Sequence, residues 1–345
     1  MSRLDKILQL VSNKALGIQE LLSELNENIS IATLKRNLST LVKKQYIVKT
    51  GEARASKYQL SPSYQFIREI DLEEYFTVDT YKRVINKNFN SELLKTLVLN
   101  PPEIFSQDEK ESINKLNQEF KNRFNKLDQH VIKKEYERLC IELAWKSSRI
   151  EGNTYSILET ETLIKTGIEA KGHSKEEALM ILNHKQALDF IQENKSKFKK
   201  LDLDMVLALH AELTKKLYID QGIRQARIGI TGTQYRPPAN QADIKFYLEE
   251  IIKLVNLTEH VLEKALLTLT FIAYLQAFTD GNKRTSRVLA NAILIANDFC
   301  PISFASVDES EYKKTIIMFY EQNHISPLKK LVLEQFEFSV NNYFL

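Results

Sequence analysis

Apolar residues recur along this chain mainly at helical spacing. Stretches 3–12, 17–26 and 31–44 keep their apolar residues on one face, which predicts three short amphipathic helices. Asn28 or Ser30 is the candidate N-cap of the third helix. The following YIVKTGEARASKYQLS alternates apolar and polar residues around a glycine, which predicts a small β-hairpin.

The rest of the chain is predicted to be mostly helical. Helices are expected over residues 107–148, 156–166, 175–193, 202–217, 243–256, 261–277, 284–298, 309–320 and 326–342. A mixed stretch, residues 61–105, is expected to hold one or two connecting helices. In ARIGITGTQYRPPANQ, β-prone pieces flank a glycine and a proline pair, which predicts a lone hairpin over residues 226–238.

Composition agrees with a mainly α fold that has a large core. The 345 residues are 43% hydrophobic and include only 9 glycines and 7 prolines. No run reaches the roughly 18 apolar residues of a membrane helix, and the first residues lack a signal-peptide pattern. We therefore expect a cytoplasmic location without membrane contact. The two distant cysteines favour neither a disulfide framework nor a zinc site.

Positive charge is concentrated in the first 60 residues, which hold ten Lys and Arg against five Asp and Glu. Three helices followed by a hairpin resemble a winged helix-turn-helix domain over residues 1–60, in which the third helix enters the major groove of DNA and the hairpin contacts phosphates. The basic residues that would contact duplex DNA are Lys35, Arg36, Lys43, Lys44, Arg54 and Lys57. The alternative is a basic, solvated face on a domain that packs against its own chain or against a partner.

Candidate chemistry lies in QAFTDGNKRTSR, residues 276–287, between two helices that are apolar on nearly every side. Gly281 permits a sharp turn, and the free N–H groups that open the second helix attract anions. Arg284 and Arg287 share one face above that turn. Asp280 offers the oxygen ligand that Mg²⁺ on a phosphate prefers. The motif therefore predicts a polyphosphate site, with a simple capped turn as the alternative.

This stretch resembles the signature of the Fic family, His-x-Phe-x-(Asp/Glu)-Gly-Asn-(Gly/Lys)-Arg-x-x-Arg. The matching residues are Phe278, Asp280, Gly281, Asn282, Lys283, Arg284 and Arg287. The resemblance implies a Fic-type helical bundle with a β-hairpin flap over residues 106–345, and transfer of AMP from Mg-ATP to a hydroxyl of an unidentified target protein. It assigns Gly281, Asn282, Lys283, Arg284 and Arg287 to the nucleotide, Asp280 to Mg²⁺, and Thr231, Gly232 and Thr233 to the flap. It also implies a homodimer.

A second stretch, SSRIEG, is similar to the inhibitory helix motif of that family, (Ser/Thr)-x-x-x-Glu-(Gly/Asn). The matching residues are Ser147, Glu151 and Gly152, on a helix expected over about residues 131–152. A carboxylate at the C-terminal end of a helix is unfavourable unless a cation neutralises it. The resemblance implies that Arg287 is that cation. A plain glycine cap is the alternative interpretation.

The chain departs from the family pattern at two positions. Gln276 stands where the family has its base histidine, and a carboxamide cannot take a proton near neutral pH. Lys283 is also found in the Doc branch, which transfers a phosphoryl group, although the RTSR tail favours AMP transfer. His210 is the histidine to check for proximity to the motif, with a core or surface histidine as the alternative. Tyr312 and Tyr320 are candidate contacts of adenine, and core packing explains them equally well.

Three functions remain open at this point. The first is an adenylyltransferase that Glu151 inhibits and that is weak or inactive because of Gln276. The second is an ATP-responsive, DNA-binding transcriptional regulator without catalysis. The third is a protein-interaction scaffold.

Overall fold

The computed structural model describes residues 3–27, 29–44, 46–52 and 55–345. They divide into two compact units, residues 1–70 and 71–345. Across these described ranges, no helix is both long enough and apolar enough to cross a bilayer.

The first unit combines short helices with a small sheet. Its elements are α1 (Arg3–Asn13), β1 (Leu16–Gly17), α2 (Ile18–Leu25), α3 (Ile31–Lys43), β2 (Ile47–Thr50), β3 (Lys57–Leu60) and α4 (Pro62–Ile67). The strands are antiparallel in the order β1-β3-β2. Ser30 caps α3, since its Oγ accepts a hydrogen bond from the Thr33 N–H at 3.1 Å. The expected helices and hairpin are present, and the winged helix-turn-helix assignment stays a prediction.

The boundary between the units falls later than residue 60 because α4 packs on the first unit. The ring of Tyr64 in α4 stacks on that of Tyr46, with centroids 4.4 Å apart. Tyr64 also packs against the core formed by the buried leucines of α1, α2 and α3.

The second unit is helical. Its elements are α5 (Leu72–Phe76), α6 (Ser91–Leu99), α7 (Gln107–Phe124), α8 (Gln129–Ile150), α9 (Ile157–Thr166), α10 (Lys175–Glu193), a 3-10 turn (Lys195–Lys199), α11 (Leu203–Thr214), α12 (Gln241–Leu257), α13 (Val261–Leu275), α14 (Asn282–Ala296), α15 (Glu309–Gln322) and α16 (Ser326–Asn342). Helices α13 and α14 are buried along nearly their whole length and form the centre of the core. The mainly α fold class is thereby confirmed.

The segment expected to be a hairpin, residues 226–238, contains no strand pair of its own in the described chain. Its β-type contact is a single parallel bridge between Arg236 and Asn88. Pro237 and Pro238 lack the N–H donors that a β-ladder needs. Side chains from elsewhere hold the segment instead, as described below, and we keep the name flap for residues 226–238.

Candidate functional site

The motif loop joins the two most buried helices of the second unit. Helix α13 ends at Leu275, Gln276 adopts the left-handed region (φ 53°), and Gly281 precedes α14 with φ 80°. The Asn282 side chain closes the loop. Its Oδ1 accepts from the Phe278 N–H at 2.9 Å, and its Nδ2 donates to the Phe278 carbonyl at 2.8 Å. The loop is therefore a fixed turn that presents the free N–H groups of the first turn of α14.

Two arginines of α14 are buried near the motif loop. Arg284 Nη2 lies 3.0 Å from Asp280 Oδ2. Its Nη1 is buried and makes no hydrogen bond to the described part of the chain. The Arg287 side chain is completely buried, and its Nη2 lies 2.9 Å from Glu151 Oε1. Buried cations with spare donors are suited to binding an anion.

Glu151 lies between two cations of the motif. Its second oxygen, Oε2, is 2.7 Å from Lys283 Nζ. Burial alone would raise the pKa of this carboxyl, but the charges and hydrogen bonds of Arg287 and Lys283 lower it to about 2. The structure thus brings together Glu151 and Arg287, as the sequence suggested, and adds Lys283 as a second partner. Gly152 follows with φ 100° and ends α8.

Ser147 connects this ion pair to a histidine that the sequence did not single out. Arg287 Nε donates to Ser147 Oγ at 2.9 Å, and His184 Nε2 lies 2.8 Å from the same oxygen. His184 Nδ1 lies 2.8 Å from the Met180 carbonyl, so the proton is on Nδ1 and Nε2 accepts from the serine hydroxyl. Burial lowers the pKa of His184 to about 3. No sequence pattern marks His184, because it sits inside an ordinary amphipathic helix.

His210 lies next to the motif loop, where its ring supports the backbone. Its ring stacks on Phe278 with centroids 3.7 Å apart, and its Nε2 lies 3.0 Å from the Asp280 carbonyl oxygen. Because Nε2 donates to a backbone oxygen, His210 supports the turn from α11. Burial lowers its pKa to about 4.

Gln276 also makes hydrogen bonds that hold the motif loop. Its Nε2 donates to the Ala273 carbonyl at 2.7 Å, and its Oε1 accepts from Asn282 Nδ2 at 3.2 Å. Tyr320 Oη lies 3.3 Å from Gln276 Nε2. Tyr312 and Tyr320 are buried in the core. This burial agrees with core packing of the two tyrosines, and their contact with adenine stays a prediction.

A cavity of about 220 Å³ separates the motif loop from the flap. Its lining residues are Glu151, Ile228, Gly229, Ile230, Thr231, Gln276, Thr279, Asp280, Gly281, Asn282, Lys283 and Arg284. Of the three expected flap residues, Thr231 therefore faces the cavity. Gly232 and Thr233 lie beyond it, and the Thr233 hydroxyl accepts from the Tyr235 N–H at 3.1 Å.

Arg224 fastens the flap to the motif, a role that the sequence did not reveal. Its Nε donates to the Gln276 carbonyl at 2.7 Å, and its Nη1 donates to the Ala226 carbonyl at 2.7 Å. Its Nη2 donates to the Pro238 carbonyl. One buried side chain therefore ties both ends of the flap to the first residue of the motif.

In the first unit, the residues proposed to contact DNA are exposed on α3 and β3. Arg36 and Lys43 lie on the face of α3 opposite its buried leucines, and Lys35, Lys44 and Lys57 are also exposed. Arg54 lies outside the described residues.

Comparison with known proteins gives a consistent result. The model of the Fic/DOC family matches residues 200–294. The protein adenylyltransferase Fic of Nematostella vectensis is 24% identical over 205 residues, which cover 58% of this chain and 47% of that protein. Its Drosophila melanogaster counterpart is 24% identical over 207 residues, covering 58% of this chain and 41% of that protein. The chain thus matches less than half the length of these relatives.

Solved structures show the same fold. Fic-1 from C. elegans superimposes with a TM-score of 0.59 at 22% identity, covering 74% of this chain and 76% of that one. A Fic domain containing signaling protein from Bacteroides thetaiotaomicron superimposes with a TM-score of 0.56 at 18% identity, covering 66% of this chain and 94% of that one.

Proposed function

Because this chain carries a Fic/DOC family domain, we propose that it binds the triphosphate of ATP at the N-terminus of α14 and is related in activity to protein adenylyltransferases. The observation that carries the proposal is the turn at Gly281. It places free helix N–H groups beside Arg284, whose buried Nη1 has no partner in the described chain. A helix N-terminus and a guanidinium together form a site for phosphate oxygens.

Magnesium fits this site only together with the nucleotide. Asp280 is the motif carboxylate available to it, and no cluster of three or more His, Cys, Asp or Glu suited to a metal occurs in the described ranges. Mg²⁺ commonly binds through one or two carboxylates plus substrate phosphates. Asp280 would release Arg284 to hold the metal, and Arg284 would turn to the phosphates.

The proposed reaction is transfer of AMP to a target hydroxyl. The hydroxyl oxygen forms a bond to the α-phosphorus, the bond to the β-phosphate oxygen breaks, and pyrophosphate leaves. The hydroxyl proton passes to solvent water. Gln276 cannot accept it, and its amide is already bonded to Ala273 and Asn282. Since a general base contributes roughly 10² to 10⁴ in rate, we expect weak or absent turnover.

We propose that Glu151 inhibits nucleotide binding. It pairs with Arg287 at 2.9 Å and with Lys283 at 2.7 Å, and both cations are candidates to hold phosphates. A bound triphosphate would have to displace the carboxylate from at least one of them.

The flap is proposed to hold the target segment. Apart from the turn at residues 231–232, the backbone groups of residues 228–231 make no hydrogen bond to the described chain, and these residues border the cavity. An extended target segment can pair with such an open edge by strand addition. A target hydroxyl would then point toward the phosphates across the 220 Å³ cavity.

Calorimetry with Mg-ATP tests the pocket, and labelling tests the chemistry. The wild type should bind Mg-ATP weakly and Glu151→Gly more tightly. Gln276→His combined with Glu151→Gly should attach AMP to itself or to proteins of a cell lysate, and the mass of the adduct separates AMP transfer from phosphoryl transfer. If the double variant binds Mg-ATP tightly but forms no adduct, the protein binds nucleotide without transferring it, and the proposed relation to adenylyltransferases is refuted. Absence of binding in both variants would refute the pocket.

A second candidate function, duplex DNA binding by the first unit, is favoured by its charge distribution. Acidic side chains of this unit pair on the α1–α2 side, where Glu27 binds Arg3 and Lys6 at 2.7 Å and Glu24 binds Lys14 at 2.9 Å. No carboxylate of the described first unit forms an ion pair with the exposed cations of α3 and the hairpin, which are Lys35, Arg36, Lys43, Lys44, Lys49 and Lys57. Exposed cations that form no ion pair in the described unit are available to a phosphate backbone.

A gel shift of the full chain with a DNA duplex at rising salt tests this candidate. Lys35→Ala with Arg36→Ala should weaken binding and reduce its salt dependence. Lys14→Ala is the matched control, because that cation is already paired with Glu24 at 2.9 Å. Equal loss in both variants, or no shift at low salt, would refute DNA binding.

Sedimentation of the same preparation tests the proposed homodimer.

A further inference from the structure

A segment that the motif does not include, residues 71–88, holds the far side of the flap. We call it the strap. It runs over the C-terminal end of α15, where the Asn86 N–H donates to the Glu321 carbonyl at 2.8 Å. Glu73 at its beginning pairs with Lys314 of α15 at 2.7 Å. The strap is therefore attached to the helical body at both ends.

Arg83 and Glu321 form a buried ion pair at the centre of the strap. Arg83 Nε lies 2.9 Å from Glu321 Oε2, and the two side chains are only 5% and 0% exposed. The Tyr75 hydroxyl donates to the same carboxylate oxygen at 2.7 Å. Burial of opposite charges in such a place is unfavourable unless their geometry and their remaining hydrogen bonds are well satisfied.

One donor of Arg83 reaches the flap, while its Nη1 donates to the Val78 carbonyl within the strap at 3.4 Å. Arg83 Nη2 donates to the Gly232 carbonyl at 2.9 Å while also lying 3.1 Å from Glu321 Oε1. Two further bonds join the same segments: the Arg236 N–H donates to the Lys87 carbonyl at 2.7 Å, and Gln234 Nε2 donates to the Thr80 carbonyl at 3.2 Å. All three bonds link the flap to the strap, and none lies within the flap.

We propose that Arg83 is a positioning residue of the flap, which sets the distance between the open edge at residues 228–231 and the phosphate loop. The planar guanidinium can hold a carboxylate and a carbonyl at once, so it transmits the fixed position of Glu321 to Gly232. A flap without its own strand pair has no internal ladder to keep its shape, so this external anchor and Arg224 take that role. The catalytic significance of this role rests on the proposed function, whereas the anchoring itself does not.

The test uses Arg83→Met together with Glu321→Gln in the full chain. The double change removes the bond to Gly232 without leaving a buried unpaired charge, and the carboxamide introduced on α15 keeps an oxygen acceptor for Tyr75. We expect trypsin to cut after the exposed Arg227 roughly tenfold faster or more, because the loss of a charged hydrogen bond raises the population of open flap. Mg-ATP affinity should stay within about twofold. The control is Glu73→Gln, which breaks a strap contact that does not touch the flap.

A second measurement separates positioning from general stability. In the Gln276→His, Glu151→Gly background, the double variant should raise the target concentration at half-maximal labelling and leave that for ATP unchanged. Cleavage after Arg227 at the rate of the Glu73→Gln control would overturn the proposal. So would faster cleavage throughout the second unit, since that indicates global unfolding. If no variant binds ATP, the proposed function fails while the cleavage result still decides whether Arg83 anchors the flap.

Discussion

Replacing Glu151 by glutamine should lower the stability of the nucleotide-free protein and raise its affinity for Mg-ATP. The carboxylate interacts with Arg287 and Lys283 strongly enough to lower its pKa from 4.5 to about 2. At 1.36 kcal/mol per pKa unit, this shift means that the surroundings favour the charged carboxylate over the neutral carboxyl by about 3 kcal/mol. A triphosphate that takes both cations has to overcome this interaction, so its removal can tighten binding by up to roughly 100-fold.

The same change should lower stability in the absence of nucleotide. Arg287 is completely buried and would lose the negative charge of its ion-pair partner, while its bonds to Ser147 and its contact with the Tyr312 ring remain. A buried charge that loses its partner destabilises a protein by a few kcal/mol, and we expect up to about 3 kcal/mol here. Saturating Mg-ATP should then raise Tm more in Glu151→Gln than in the wild type, because its phosphates supply the missing negative charge.

Calorimetry and thermal unfolding with and without Mg-ATP provide the assay. Glu309→Gln is the matched control, because Glu309 pairs with Lys146 and Arg149 of the same helix α8 at 3.4 and 2.7 Å but does not line the cavity. The reasoning is refuted if Glu151→Gln lowers Tm yet leaves the Kd of Mg-ATP within twofold of the wild type. The ion pair would then be structural and would not compete with phosphates.

A moderate fall in pH from neutral should not break the ion pairs of Glu151 with Arg287 and Lys283. The pKa of its carboxyl is lowered in the folded state, so its contribution to stability is complete above about pH 4.5 and is lost as the pH falls toward 2. Release of the site therefore requires the removal or displacement of Glu151, by mutation, by a ligand or by movement of α8. Titration of unfolding between pH 7 and 5 in the wild type and Glu151→Gln checks this, since their difference in stability should stay constant there.

Two further predictions concern the turn and the buried histidines. Gly281→Ala should cost about 1–2 kcal/mol and weaken Mg-ATP binding, because φ is +80° and the new Cβ would lie 3.1 Å from Thr214 Cγ2. Gly172→Ala is the control, because Gly172 has a similar φ of +89° but open space around it. Chemical denaturation of this variant should show only the cost of backbone strain, and calorimetry should show no loss of Mg-ATP affinity. Burial lowers the pKa of His184 to about 3 and that of His210 to about 4. The contribution of these neutral rings to stability should therefore be complete above about pH 6.5 and be lost as the pH falls, toward about 4 for His210 and about 3 for His184. A denaturation midpoint that is flat across that range in urea would contradict the neutral, buried assignment of both rings.

The sequence by itself determined the elements whose causes are local. Helix α10 spans Lys175–Glu193 and α16 spans Ser326–Asn342, as expected from the apolar period, because a helix is set by neighbours three and four residues away. The turn at the start of α14 was also readable, since Gly281, Asn282 and Arg284 lie within four consecutive residues. The pairing of Glu151 with Arg287 came from resemblance to a family motif, and local chemistry only indicated that the carboxylate needed a cation.

Tertiary structure alone decided what depends on segments far apart in the chain. The β-prone residues of the flap predict a hairpin, yet Arg83 and Arg224 hold it through backbone carbonyls and no ladder forms. His184 became part of the site because α10 packs against α8 and brings its ring to Ser147. Such contacts leave no periodic trace in the sequence, because a hydrogen bond between distant residues depends on how helices pack and not on spacing along the chain.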